Sequence, residues 1–489
     1  MILAAAGVLA AAAAAAAAIL LPTGRLRSAA MLLALALFPI LILGDQWHSA
    51  QIVDLRGDSM RLGAFTLIAL AAVALLASLF QRWPILLPLA IVAALPFRVP
   101  LEAGGDTANL LVPLYLVIAA GVTSTALREW GERPSTGTGP PILLPFVLAA
   151  IVVLYALQTL YSPDFSKSLQ NVCFFFVPFS LVYALLRDVE WDRKLLVLVL
   201  WVVAVEAVAF VLVGSIEYVS RSLFWNDQVI RSNEFHTYFR VNSIFWDPNI
   251  YGRYLSLVIV LAMSALLWAK ERRTLGLLTA LVAVLWLGLV PTFSQSSFAA
   301  LLAGLAVLAA LRWSWRWTLA AVGAGAILAV VVVLFAGGVS KLSPDRFNVD
   351  TGGRANLVSG GTDLFAQRPL WGYGSGSFPR AYREHIATKK APVSVSHTEP
   401  VTVAAEQGLI GLAAYGALLV VALLTMWPGL GVGRPPPPRA IARAAVLGVF
   451  VALLVHTMAY AGFYEDPITW VLLAVGASLA AAPAVRDAA

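Results

Sequence analysis

The sequence predicts an all-α, polytopic integral membrane protein, and two observations predict it. Hydrophobic residues fill 60% of the 489 positions and charged residues only 12%, about half the charged share of a soluble domain. The apolar residues also come in blocks of roughly 15–22, long enough to cross a bilayer as helices. A formal charge of +7 would suggest nucleic acid in a soluble protein. In a membrane protein the informative quantity is where the Lys and Arg sit. Cys173 is the single cysteine and lies in an apolar run, so neither a disulfide framework nor a thiolate metal site is expected.

Taken in order, the blocks fall near 2–21, 28–44, 62–80, 83–97, 108–125, 141–161, 170–186, 195–213, 250–268, 274–291, 296–311, 317–336, 401–426, 440–461 and 468–483. About 12–15 transmembrane helices in one transmembrane domain, 1–489, are therefore expected. The first block is Ala-rich with no basic residue before it, so it reads as a retained span and not as a cleaved leader. The block at 83–97 is short and holds Pro84, Pro88 and Pro96, tolerable where packed neighbours satisfy the freed carbonyls. The blocks at 274–291 and 296–311 are joined by a tight turn.

The connections alternate in charge. One set carries Arg25 and Arg27; Arg82; Arg128 and Arg133; Arg187, Arg193 and Lys194; Lys270, Arg272 and Arg273; Arg312 and Arg316; Arg434, Arg439 and Arg443. The short members of the other set hold only Arg56, Arg61, Arg98 and Lys167. This asymmetry places the basic set in the cytoplasm, with the N-terminus outside and the C-terminus inside. Two long connections, 214–249 and 337–400, then fall on the outer face. They are rich in Trp, Phe, Tyr, Arg and His, unlike a low-complexity linker, which favours folded and functional loops. Pro435 to Pro438, inside Arg434–Arg439, read as a stiff inner-face spacer.

Chemistry-bearing residues concentrate at the outer face. Arg240 precedes Asp247-Pro248-Asn249, which leads through Tyr251 and Gly252 into a span. Asp247 reads as a helix cap or as part of a site, and Pro248 suits the first helical turn. Arg240 is suited to bidentate contact with phosphate oxygens, on a substrate or on lipid headgroups. The turn Thr292-Phe293-Ser294-Gln295 holds hydroxyls that often only cap helices. The large loop carries Gly352-Gly353-Arg354, then Arg368-Pro369-Leu370-Trp371-Gly372-Tyr373-Gly374, then His397-Thr398-Glu399 ahead of Gly408. A neutral histidine can accept a proton, although a loop histidine is more often structural. His236 and His385 lack comparable surroundings. Glu206 and His456 lie inside spans, where ionisable groups mark a function or a buried hydrogen bond, and they are candidates to pair with each other. No His-x-Glu-x-x-His pattern, phosphate-binding loop or dinucleotide fingerprint is present. Neither a cofactor nor a metal is expected.

Together these residues resemble the O-antigen ligase and O-antigen polymerase superfamily of bacterial envelope glycosyltransferases. The resemblance covers roughly 235–430. It rests on Arg240 with Asp247-Pro248-Asn249, the Thr292-Phe293-Ser294 turn, Gly353-Arg354, Pro369-Leu370-Trp371-Gly372-Tyr373-Gly374, and His397 with Gly408 eleven positions later. It implies transfer of a glycan from an undecaprenyl-pyrophosphate carrier to an acceptor hydroxyl, on lipid A-core or a growing polysaccharide. The site would face the periplasm from the bacterial inner membrane, without metal and with inversion. His397 matches the catalytic base, and Arg240 and Arg354 match arginines that engage the pyrophosphate. Two departures stand out: Ser294-Gln295 replaces the family's common Ser-Arg, and Thr398 replaces the Asn that often follows the histidine. One phosphate-binding charge is then either missing or supplied by another residue such as Arg253 or Arg368. Gln295, Asp247, Asn249 and Trp371 are further candidate contacts, Glu399 a candidate for orienting His397, and Trp225, Trp246, Trp371 and Tyr373 candidates for stacking on sugars. The expected partners are a lipid-linked glycan donor, a lipid or polysaccharide acceptor and membrane lipids, with no nucleic acid. A protein O-oligosaccharyltransferase would share these motifs, whereas a secondary transporter or lipid flippase would centre on Glu206 and His456.

Overall fold

The computed structural model describes residues 2–103, 106–130, 143–235, 238–337, 353–387, 393, 395–427 and 438–481. His236, Gly352, Arg133, Arg434 and Pro435 to Pro437 lie outside them. Helices form over every predicted block: α1 Ile2–Leu20, α2 Arg25–Asp45, α3 Ala50–Gly57, α4 Ser59–Arg82, α5 Leu86–Ala94, α6 Val112–Glu129, α7 Leu144–Thr159, α8 Phe165–Asn171, α9 Val177–Leu186 and α10 Arg193–Ser220. They continue as α11 Asp227–Phe235, α12 Pro248–Trp268, α13 Arg272–Leu289, α14 Gln295–Arg312, α15 Trp315–Gly337, α16 Arg354–Gln367, α17 Phe378–His385, α18 Glu399–Met426, α19 Pro438–Thr457 and α20 Pro467–Ala481. Among the described residues ten helical segments are long and apolar enough to cross a membrane, and α7 and α20 are shorter apolar helices. The chain is a multi-pass membrane protein. The one departure from an all-helical chain among the described residues is a hairpin of β1 Val99–Ala103 and β2 Asp106–Leu110, paired antiparallel with Val99 opposite Leu110.

Two local features follow from residue choice. α8 and α9 form one continuous span interrupted by a π-helical turn over Val172–Phe176 just before Pro178. The Tyr115 hydroxyl donates to the Phe174 carbonyl at 2.8 Å, satisfying a group in that loosened turn. α5 is only nine residues long, about 14 Å, roughly half of a ~30 Å hydrocarbon layer. Its prolines and short apolar run therefore give a helix too short to cross such a layer by itself.

α12, α14 and α19 pack together as the central group. Gly304 and Gly448 face each other where α14 meets α19, and a Cβ on Gly304 would lie 3.0 Å from the Gly448 carbonyl oxygen. Small residues let membrane helices approach this closely. The long connection expected from position 214 begins later, because α10 persists to Ser220. Its polar last turns are stabilised by Glu217, which is fully buried and accepts from the Asn242 and Ser243 N–H groups at 3.1 and 2.7 Å.

Candidate active site

Three segments far apart in the chain meet at one end of the α12–α14–α19 group. Arg240 is fixed from both sides. Asn233 clamps its backbone: the Arg240 N–H donates to Asn233 Oδ1 at 3.0 Å, and Asn233 Nδ2 donates to the Arg240 carbonyl at 2.9 Å. The guanidinium donates through Nε to the Thr292 carbonyl at 2.9 Å and through Nη2 to Asn249 Oδ1 at 3.1 Å. The Thr292 carbonyl is presented by a short 3-10 turn that ends on Phe293, at φ 48°. Nη1 has no hydrogen-bond partner among the described residues. Asp247 caps α12, accepting from the Asn249 N–H at 2.6 Å. Burial disfavours the Arg240 charge, and the Arg354 charge adds to that, whereas Asp247 opposes it.

Arg354 is the first residue of α16, behind Gly353 at φ 84°. Its guanidinium has no hydrogen-bond or ion-pair partner among the described residues. Its charge is nevertheless felt at Arg240, His397 and Tyr460.

His397 sits in the left-handed region at φ 64°. The turn around it is tied by Ser396, whose Oγ accepts from the Thr398 N–H at 3.3 Å and hydrogen-bonds Thr402 Oγ1 at 2.7 Å. The imidazole meets the Tyr460 ring edge-on, with centroids 6.3 Å apart. Burial holds its pKa below the ordinary 6.5, Arg354 lowers it further, and Asp247 partly offsets both. The ring is therefore neutral at pH 7 and able to accept a proton.

The spacing of His397 and Gly408 has a structural reason. α18 kinks at Gly408, whose φ of 64° and ψ of −161° are essentially glycine-only. The opened backbone receives the 369–374 segment like a strand. Tyr373 and Gly374 N–H donate to the Ala405 and Glu406 carbonyls at 3.1 and 2.8 Å. Leu409 and Ile410 N–H donate to the Pro369 and Leu370 carbonyls at 2.7 and 3.4 Å. Glu406 completes the dock by accepting from the Gly376 and Phe378 N–H groups at 2.8 and 2.9 Å. The helix that carries Arg354 is thereby registered on the helix that follows His397.

The other anticipated residues distribute as follows. Arg253 is buried and paired with Asp466 at 2.8 Å; its Nη1 has no partner among the described residues. Gln295 is exposed at the start of α14. Glu399 does not orient His397: its carboxylate accepts from the Gly462 and Phe463 N–H groups at 2.8 and 3.0 Å, tying the α19–α20 connection to α18. Tyr373 is buried and unfit to stack on a sugar, with the Arg368 guanidinium 4.4 Å from its ring centroid and its hydroxyl bonded to Gln367. Arg368 and exposed Trp371 line a separate open recess of about 650 Å³ with Tyr161. Trp225 donates to the Phe245 carbonyl, and His385 packs against Tyr373. Glu206 and His456 do not pair: Glu206 accepts from the Tyr254 hydroxyl at 2.9 Å, and His456 Nε2 hydrogen-bonds Ser296 Oγ at 3.2 Å.

Two residues escaped the sequence reading. Tyr460 stands between His397 and His456, with its ring 5.8 Å from the latter. It is coupled to Asp247, Arg253, Arg98 and Arg354, and burial raises its phenol well above the ordinary 10. Arg98, counted only as a loop charge, is half-buried and lines a small cavity with Asp466 and Arg253; desolvation there is the main cause disfavouring its charge. Neither belongs to a local motif, so only the three-dimensional arrangement reveals them.

Residues 280–416 match the family model described as O-antigen ligase. The match includes the Thr292–Ser294 turn, Arg354, the loop docked on Gly408 and His397, while Arg240, Asp247 and Arg253 precede it. It supports a ligase-like glycosyltransferase. No curated protein matches the chain.

Proposed function

We propose that this chain, whose residues 280–416 match the O-antigen ligase family model, transfers a glycan from an undecaprenyl-pyrophosphate carrier to an acceptor hydroxyl on the periplasmic face. The observation that carries this reading is the convergence of Arg240, Arg354 and a neutral His397 around Tyr460. The sugar–oxygen bond breaks toward the pyrophosphate, and the bonding pair stays on the phosphate oxygen. Arg240 offers Nη1 and Arg354 its whole guanidinium to that growing charge. One such preorganised donor is worth roughly 3–4 kcal/mol. The acceptor hydroxyl attacks the opposite face of the anomeric carbon while His397 takes its proton, a contribution of about 10²–10⁴-fold. The product anomer is inverted. The site's own cations do the neutralising, so no metal step is needed.

The test replaces His397 by Asn. Alanine would be strained at φ 64°, whereas asparagine tolerates the left-handed region. The variant keeps its melting temperature in detergent and loses at least about 10²-fold in transfer rate, read by mass spectrometry of the product from a purified undecaprenyl-linked glycan. Full transfer by a folded His397→Asn protein removes the base from the scheme.

A further inference from the structure

Tyr460 belongs to the α19–α20 connection and faces the polar chamber that Arg240, Arg354 and His397 form. Its ring is held from two sides: the His397 imidazole meets it edge-on with centroids 6.3 Å apart, and the His456 imidazole lies 5.8 Å away. Its N–H donates to the His456 carbonyl at 3.0 Å, which ties the backbone to the end of α19. The hydroxyl is not held. It makes no hydrogen bond to any described residue, although the side chain is half-buried. Buried tyrosines usually give the hydroxyl a partner, as Tyr115, Tyr254, Tyr373 and Tyr382 do here. Tyr183 and Tyr415 also lack one, but their oxygens are wholly enclosed by protein. The Tyr460 oxygen is unpartnered without being enclosed, so it opens onto the chamber. The charges that act on it are Arg98, Arg253 and Arg354 against Asp247 alone. That surplus of positive charge attracts an anion and is indifferent to a neutral acceptor hydroxyl. Burial meanwhile keeps the phenol protonated, so it meets such an anion as a donor.

We propose that Tyr460 is a further catalytic residue, whose hydroxyl donates a hydrogen bond to the phosphate oxygen that leaves the sugar. The proposal rests on the glycan-transfer reading above and adds a residue outside the matched segment. As the sugar–oxygen bond breaks, the bonding pair stays on that oxygen, and the phenol O–H strengthens its contact with the growing charge. The phenol keeps its proton. The one proton released in the step is the acceptor's, and it passes to His397. The division of labour with the arginines follows from charge. A guanidinium grips phosphate charge that is already present when the donor binds. A neutral phenol gains most as its acceptor turns from a bridging oxygen into an oxyanion, since a charge-assisted hydrogen bond is about twice as strong as a neutral one. An interaction that grows in this way acts on kcat and leaves KM nearly alone. The ring contact with His397 also keeps the donor and the base together as one unit.

The test uses the full chain in phospholipid nanodiscs with a purified undecaprenyl-linked glycan and reads two reactions. One is transfer to lipid A-core; the other is release of free glycan to water when lipid A-core is withheld. Tyr460→Phe keeps the ring between the two histidines and removes only the O–H. Because that O–H has no partner among the described residues, the melting temperature should stay at the wild-type value. In both reactions kcat should fall about 10²-fold, with KM for the donor within about two-fold of wild type. A loss confined to transfer would put the phenol on the acceptor. A raised KM with kcat intact would make it a ground-state contact. A lowered melting temperature would give the hydroxyl a partner within the fold. Each of these overturns the assignment. Meta-fluorotyrosine in place of Tyr460 keeps the hydroxyl and makes it a stronger donor, so kcat should rise; an unchanged or lower kcat overturns the assignment too, and this arm decides should Tyr460→Phe fail to fold. His397→Asn separates the two ideas. Wild-type rates in Tyr460→Phe beside an inactive His397→Asn remove the phenol alone. Full activity in His397→Asn beside a loss of about 10²-fold in Tyr460→Phe removes the base alone.

Discussion

Replacing Gly408 by alanine should damage stability and catalysis together, by an amount the local geometry sets. At φ 64° and ψ −161° a non-glycine residue costs about 1–3 kcal/mol in backbone strain. A Cβ there would also lie 2.4 Å from the Leu370 carbonyl carbon and oxygen and 2.6 Å from the Trp371 nitrogen. All three are backbone atoms, so no flexible side chain can give way. The docked segment must move, and its four backbone hydrogen bonds to α18 go with it, at about 0.5–1.5 kcal/mol net each. The combined loss is at least about 3 kcal/mol. Because that dock registers α16 on α18, Arg354 should leave its place beside His397, removing roughly 10²–10³ in turnover. Gly416→Ala on the same helix is the control. Nothing lies within 4 Å of its missing Cβ, so ordinary propensity applies and the substitution is neutral or stabilises by up to about 1 kcal/mol. The assay pairs thermal unfolding in detergent with single-turnover glycan transfer. If Gly408→Ala melts and turns over like Gly416→Ala, the kink does not organise the site.

The remaining predictions address the charges. Arg354→Lys keeps the charge and loses the planar fork, so transfer should fall about 10–100-fold; wild-type turnover would mean that Arg354 does not grip phosphate bidentately. The pH profile of kcat/KM should be flat near neutrality and fall on the acid side below pH 6.5, because the histidine loses its acceptor as it protonates and its pKa is depressed. Arg354→Gln removes one cause of that depression, so the acid limb of its residual activity should move to higher pH; a shift the other way contradicts the coupling. Glu206→Gln should leave transfer nearly unchanged, since Glu206 is engaged by Tyr254; loss of transfer would favour a transport role. Excess chelator should leave transfer unaffected, and inhibition reversed by added magnesium would refute the metal-free scheme.

Hydropathy made the spans legible because lipid demands that each crossing satisfy its own backbone. It could not reveal that α5 is only nine residues long, since apolar length counts residues and is blind to where Pro96 and Phe97 turn the chain. Asp247 was legible as a cap because capping is local. Glu399 was misread for the opposite reason: it lies two residues from His397, yet its carboxylate is taken by Gly462 and Phe463, more than sixty positions away. Sequence proximity gave no sign of the competing donors. Tyr373 was misread likewise, because an aromatic in a glycine-rich loop reads as exposed until the loop's dock on α18 is seen. Tyr460 and Arg98 carry no motif, and their roles come only from helix packing that brings the α19–α20 connection against the end of α5.

The charge balance of the chamber fits the proposed reaction. Arg98, Arg240, Arg253 and Arg354 face Asp247 and Asp466 around Tyr460, leaving two positive charges with His397 neutral. A glycan-bearing lipid pyrophosphate carries two negative charges, one on each phosphate, so the bound ground state is balanced. When the sugar leaves, the terminal phosphate gains a second negative charge, the third on the carrier. In the same step His397 gains the acceptor's proton and becomes cationic, so the chamber is balanced again without drawing an ion from outside. Releasing the proton then leaves an uncompensated anion on the spent carrier, which weakens its hold on the site. In the proposed scheme proton loss from His397 is thereby coupled to carrier release, and the depressed pKa of His397 would favour both.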